Sequence, residues 1–126
     1  MGKPGHRILI VEDSSAMRAF VRATLEQDGS ATVEEASSGF EALRILPREK
    51  FDLVIVDINM PDINGLELVS FMRRSEAHAS TPLIIISTEA SEKDRRRGLD
   101  LGANEYLSKP FEPQQLRESV RRLVVH

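Results

Sequence analysis

Three apolar runs limit what this chain can fold into: Ile8-Leu9-Ile10-Val11, Leu53-Val54-Ile55-Val56 and Leu83-Ile84-Ile85-Ile86. Each is rich in β-branched residues and unbroken by a polar one. A strand with one wet face alternates polar and apolar residues, whereas a strand covered on both faces reads as a continuous apolar run. The three are therefore central strands of a sheet that lies between other layers. The segments between them carry helical spacing. Met17, Phe20, Val21 and Leu25 share one face after the capping residues Asp13, Ser14 and Ser15, and Asp28-Gly29 closes that helix. Ala42, Leu43 and Leu46 mark a second helix, stopped by Pro47, and Leu66, Val69 and Met72 mark a third. A charged fourth helix runs from Ser91 to Leu101, closed by Gly102. Leu116, Val120, Leu123 and Val124 mark a fifth. Two more strands complete the pattern: Ala31 to Ala36, polar enough to lie near an edge, and the short Glu105 to Ser108.

Strand and helix thus alternate five times, which predicts a parallel sheet with helices on both faces. The expected fold class is α/β: a flavodoxin-like (βα)5 doubly wound five-stranded parallel sheet, with strand order 2-1-3-4-5. The 126 residues suit one domain around one core, read here as a flexible leader over 1–6 and a single domain over 7–126. There is no cysteine, so disulfides and thiolate metal sites are excluded. The net charge of −3 argues against a direct nucleic-acid partner. No apolar run is long enough to span a membrane, and the first residues lack the apolar stretch of a signal peptide. The expected location is cytoplasmic, without membrane insertion.

In such a sheet, ligands bind beyond the carboxyl ends of the strands. The residues found there are Glu12 and Asp13 after the first strand, Asp57 at the end of the third followed by Asn59, Ser87 and Thr88 after the fourth, and Lys109-Pro110 after the fifth. Three neighbouring carboxylates repel unless a cation joins them. Lys109 can pair with Asp57, and a divalent metal can sit among Glu12, Asp13 and Asp57. Ligation by oxygen alone points to Mg²⁺ or Mn²⁺ rather than zinc, and leaves positions open for a phosphoryl group. A carboxylate in that setting can act as nucleophile and form an aspartyl phosphate. No strong general base stands nearby, which fits a site that takes a phosphoryl group and loses it slowly.

Taken singly, each residue has a plainer explanation. Asp57 is a turn residue beside Asp62, Asn64 and Gly65; Glu12-Asp13 caps a helix; Ser87 and Thr88 are loop hydroxyls; Lys109 is a solvated lysine. Tyr106, the only tyrosine, is a half-buried aromatic. The run Asp94 to Gly98, "DRRRG", is a solvated helix face, or, with Arg117, Arg121 and Arg122, a contact for an acidic partner. The combination of Asp57 with Glu12, Asp13 and Lys109 is what favours chemistry.

Four motifs in order, "ILIVEDS", "DLVIVDINMPDINGLEL", "PLIIISTEA" and "YLSKPF", resemble the receiver domain of two-component response regulators, over about residues 7–125. The resemblance implies that Asp57 is the phosphoacceptor, and that Glu12 and Asp13 hold Mg²⁺ with Asp57 and the backbone carbonyl of Asn59. It implies that Ser87 is the switch hydroxyl, Tyr106 the aromatic that turns inward on phosphorylation, and Lys109 the phosphate-contacting lysine before a cis Pro110. Asn59, Thr88 and Glu89 would tune the loss of the phosphoryl group. The chain departs from the common pattern in having Glu12 where Asp is also common, Ser87 where Thr is frequent, and Thr88 where a small residue is usual. Thr88 remains the alternative switch hydroxyl.

The function so implied is a phosphorylation-driven signalling switch rather than an enzyme. A sensor histidine kinase or phosphotransfer protein would donate to Asp57. The face made by the fourth helix, fifth strand and fifth helix would then change its affinity for a downstream protein, as a monomer or a phosphorylation-dependent dimer. The chain reads as a stand-alone regulator of the chemotaxis type without a DNA-binding effector domain, or as a receiver excised from a larger regulator or hybrid kinase. A phosphatase similar to the haloacid dehalogenase group is the competing class. Such enzymes carry a second Asp two residues after the nucleophile, where this chain has Asn59. A flavodoxin-like nucleotide module would need a glycine-rich phosphate loop after the first strand, which is absent.

Overall fold

The structure is a computed structural model that describes residues 5–27, 29–88 and 91–124. Five strands alternate with five helices: β1 (His6–Val11), α1 (Ser15–Glu26), β2 (Ala31–Ala36), α2 (Gly39–Ile45), β3 (Leu53–Asp57), α3 (Gly65–Arg74), β4 (Leu83–Ser87), α4 (Glu92–Leu101), β5 (Glu105–Ser108) and α5 (Pro113–Leu123). The strands form one parallel sheet in the order β2-β1-β3-β4-β5. This is the expected order, with the more polar β2 at one edge.

Alternate strand residues feed two separate cores. Leu9, Val11, Val54, Val56, Leu83 and Ile85 face Ala42 and Leu46 of the α2 end, Leu68, Val69 and Met72 of α3, and the partly buried Leu99 and Leu101 of α4. Ile8, Ile10, Leu53, Ile55, Ile84 and Ile86 face Val21 and Leu25 of α1 and Leu116 and Val120 of α5. Every residue of β3 and β4 is buried. That is the physical content of their unbroken apolar runs, because neither face meets water.

Local signals set the helix starts. The hydroxyls of Ser14, Ser38 and Ser91 accept N–H bonds from Met17, Glu41 and Asp94, and the Asn64 side chain accepts one from Leu66. Each satisfies a donor that the first helical turn leaves unpaired. Pro113 opens α5 behind a Glu112–Gln115 capping box. Gly102, at φ +122°, caps the end of α4, and Gly29, at φ +76°, turns the chain between α1 and β2, both in a backbone region that favours glycine.

Two boundaries differ from expectation. β1 begins at His6, inside the stretch read as a leader, because His6 pairs with Ala31 and donates its N–H to Ser30 O at 2.9 Å. Residues 1–4 of that leader lie outside the described residues, as do Asp28, Glu89 and His126. β3 ends in Asp57 as expected, whereas β4 runs one residue beyond its apolar stretch, to Ser87, since the ladder pairs Ser87 with Ser108. Asp57 and Ser87 are therefore the last residues of their strands, whereas Glu12, Asp13 and Lys109 follow the ends of β1 and β5. No described helix is long and apolar enough to cross a membrane.

Candidate functional site

Parallel strands in register end together. The last residues of β1, β3, β4 and β5 therefore bring Glu12, Asp57, Ser87 and Lys109 to one edge of the sheet. Asp57 is 3% exposed and Glu12 1%. Burying two carboxylates this deeply requires compensation.

For Glu12, that compensation is detailed. One carboxylate oxygen accepts the Lys109 ammonium at 2.7 Å, and the other accepts the Ser14 N–H at 3.1 Å. Its own N–H donates to Ala36 O, and its carbonyl accepts from the Arg18 guanidinium at 2.8 Å. Burial pushes the Glu12 carboxyl above the ordinary glutamate range; the Lys109 and Ser14 hydrogen bonds pull it back, and the neighbouring Asp57 charge adds to the rise.

Asp57 has less. Its Oδ1 accepts the Asn59 N–H at 3.3 Å and faces the Lys109 ammonium at 3.5 Å. Lys109 thus sits closer to Glu12 than to Asp57, where the sequence reading paired it with Asp57. The longer arm of glutamate puts its carboxylate where the ammonium arrives. The Lys109 N–H donates to Ser87 O at 2.7 Å, and the peptide to Pro110 is cis, as expected.

The loop after β3 is shaped by Gly65. A Cβ there would lie 2.3 Å from Asp57 O and 2.7 Å from Ile58 Cα, so only glycine lets α3 start against the strand end. The Gly65 N–H donates to Ile58 O at 2.9 Å. Asp62 ties this loop to the start of α2. The Phe40 N–H bond holds its carboxyl below the usual range, with further bonds from Gly39 and Ile63.

Ser87 is fully buried at the end of β4, while Thr88 is exposed and its hydroxyl lies 3.5 Å from the Asn59 side-chain amide. Tyr106 is buried in the core under α4, beside Gly98. Glu89, expected near the site, lies outside the described residues. Arg95, Arg96 and Arg97 are exposed on α4, whereas Arg122 pairs with Glu105 of β5. Sequence reasoning missed Arg18 and the capping work of Asp62. Neither has a signal in the sequence, because each acts on backbone groups, which every residue carries.

The three carboxylates fit a hard divalent ion. Glu12, Asp13 and Asp57 each offer one oxygen, all within 4.8 Å of one another. An ion with Mg–O distances of about 2.1 Å joins oxygens roughly 3–4 Å apart, so a small contraction suffices. Among the described residues no other such cluster occurs. Asp13 is exposed and keeps the site open to solvent.

The chain's sequence matches the profile described as the response regulator receiver domain over residues 8–121. It is 39% identical over 115 residues to a chemotaxis protein CheY homolog of Campylobacter jejuni, covering 90% of this chain and 88% of that one. The structure is similar to that of the Vibrio cholerae chemotaxis protein CheY4, with TM-score 0.88 and 36% identity over 95% of this chain and 99% of that chain. It is also similar to the receiver domain of the Pseudomonas aeruginosa sensor histidine kinase PA1611, which has a magnesium ion coordinated in its active site cleft (TM-score 0.86, 29% identity, 94% and 97% covered). With the acidic edge, the strand order and these likenesses in agreement, the chain belongs to the response regulator receiver domain family, the CheY-like signalling proteins of two-component systems.

Proposed function

We propose that this chain is a phosphorylation-activated switch whose phosphoacceptor is Asp57. The observation that carries the reading is the buried Asp57 carboxylate, gathered with the oxygens of Glu12 and Asp13 within 4.8 Å and with the Lys109 ammonium at 3.5 Å. Glu12, Asp13 and Asp57 would hold Mg²⁺, with the Asn59 carbonyl as a fourth ligand. When bound, the ion neutralises negative charge on the carboxylates and the incoming phosphoryl oxygens.

Asp57 supplies the nucleophile. A carboxylate oxygen attacks the phosphorus of a histidine kinase's phosphohistidine, the O–P bond forms, and the P–N bond breaks with its electron pair left on the imidazole nitrogen. Lys109 supplies a fixed positive charge for the phosphoryl oxygens, and its shared hold on Glu12 keeps it at the site before the group arrives. Such transfer depends mainly on positioning and charge neutralisation. Ser87 is the switch hydroxyl: it ends β4 in the core, while the exposed Thr88 faces Asn59. Asn59, Thr88 and Glu89 tune water access, and Asn59 offers no carboxylic acid to drive hydrolysis, which favours a switch over a phosphatase.

Closing of Ser87 and Lys109 on the phosphoryl group, with Tyr106 packed under α4, biases the α4–β5–α5 face between two packings with different affinity for a downstream protein. The reading carries a cytoplasmic location, where the kinase and Mg²⁺ are at hand. The test is incubation with acetyl phosphate and Mg²⁺, read by intact mass. One phosphoryl group on the wild type and none on Asp57→Asn is expected. Equal labelling of both, or sustained turnover of a phosphate ester, defeats the proposal.

A further inference from the structure

Arg18 stands outside the residues assigned above, yet it bonds directly to the acidic edge. From α1 its Nη1 donates to the Glu12 carbonyl at 2.8 Å, and its Nε donates to Glu35 Oε1 of β2 at 2.8 Å. Its side chain is only 16% exposed. The other oxygen of Glu35 faces Arg22 Nε at 2.9 Å. The guanidinium is thus held at one corner by a carboxylate and applied at another to one peptide group.

That peptide group matters. The Glu12 carbonyl and the Asp13 Cα belong to the same rigid plane. Its orientation sets the direction from which the Asp13 side chain departs and fixes the end of the Glu12 backbone. The Glu12 N–H is already tied to Ala36 O. Arg18 therefore adds a second tie on the backbone of Glu12, beside the Ser14 N–H bond to its carboxylate. Asp13 is exposed, so packing restrains it least of the three carboxylates.

We propose that Arg18 is a positioning residue for the divalent-cation site, setting its affinity by holding the peptide plane shared by Glu12 and Asp13. The inference rests on the reading of Glu12, Asp13 and Asp57 as metal ligands. It has a sign that a charge effect lacks. A guanidinium near a cation site repels the cation, so losing it for charge alone would tighten binding. Losing a pin on the ligand backbone loosens binding, and partners of this kind are typically worth roughly tenfold or more in metal affinity.

The experiment is a Mg²⁺ titration of the full chain, followed by the amide resonances of Glu12, Asp13 and Ser14, with thermal melts alongside. Arg18→Gln is expected to raise the Mg²⁺ dissociation constant roughly tenfold. Arg18→Lys keeps the charge but lacks the planar fork that serves the carbonyl and Glu35 together, so it falls between wild type and Arg18→Gln. Arg22→Gln removes the other guanidinium on Glu35 without touching Glu12, and leaves the affinity unchanged. Unchanged or tighter binding in Arg18→Gln overturns the inference, as does an equal loss in Arg22→Gln. Should Arg18→Gln fail to fold, wild-type affinity in Arg18→Lys overturns it. A wild type whose amides ignore Mg²⁺ instead overturns the metal reading itself.

Discussion

Lys109→Met separates the electrostatic account of the site from a purely steric one. The ammonium lies 2.7 Å from Glu12 and 3.5 Å from Asp57, whose side chains are 1% and 4% exposed. Methionine keeps the length and removes the charge. At an effective dielectric near 20, the two attractions lost are about 6 and about 5 kcal/mol before desolvation is counted. The folded variant has an escape that limits the net cost: Glu12 can take up a proton. Relative to an ordinary glutamate at 4.5, protonation at pH 7 costs about 1.36 × 2.5, or about 3.4 kcal/mol. Because burial already raises Glu12 in the wild type, part of this cost is present there too, and the variant is expected to lose up to about 3 kcal/mol at pH 7, lowering Tm by up to roughly 10 °C for a chain of this size.

The pH dependence follows from the same step. Burial already raises the Glu12 carboxyl, and losing the Lys109 hydrogen bond raises it further. A carboxyl raised in the folded state is a penalty above its unfolded value, and the penalty fades as pH falls toward that value. The gap between variant and wild type should close from up to about 3 kcal/mol at pH 7 to under about 1 kcal/mol at pH 5. The assay is thermal unfolding by circular dichroism in EDTA at pH 5, 6 and 7, repeated in Mg²⁺. The ion should stabilise the variant more than the wild type, since it replaces the missing cation. A variant as stable as wild type at pH 7 in EDTA would refute the reasoning, and so would a gap that widens toward acid.

Gly65→Ala puts a methyl 2.3 Å from Asp57 O, a backbone atom that cannot swing aside. A loss of about 1–3 kcal/mol in denaturant melts and slower labelling by acetyl phosphate are expected; a neutral substitution would show that the loop after β3 yields freely. At Gly98, the new methyl meets Ile85 Cδ1 at 2.6 Å, the tip of a flexible side chain. Alanine adds about 1 kcal/mol of helix preference, which the clash offsets. With Ile85→Val, which removes that tip, Gly98→Ala should become stabilising, with a coupling of about 1 kcal/mol in a double-mutant cycle; strict additivity counts against the contact.

Much of the fold was legible because the informative residues act on their own neighbours along the chain. Continuous apolar runs specify strands covered on both faces, helical spacing specifies the covering layers, and the capping residues Ser14, Ser38, Asn64 and Ser91 work within one turn. Alternation and handedness then leave few topologies. Even the meeting of Asp57, Glu12, Asp13 and Lys109 follows from that order, since parallel strands end at one edge.

Other features lay beyond local pattern. The start of β1 at His6 depends on a ladder partner, Ala31, that hydropathy does not mark. The preference of Lys109 for Glu12 over Asp57 is a matter of 0.8 Å between partners 97 and 52 residues away in the chain. Arg18 grips a carbonyl, and Asp62 grips the N–H groups of Gly39 and Phe40; every residue carries a backbone amide, so nothing in the sequence marks which one is used. By itself the sequence determined which residues form the layers and which carboxylates and lysine gather at the sheet edge, because periodicity and strand order are properties of the chain. Which oxygen holds the ammonium, and which backbone group steadies the acidic turn, was decided only in the tertiary structure, because hydrogen bonds discriminate over fractions of an ångström that no residue pattern records.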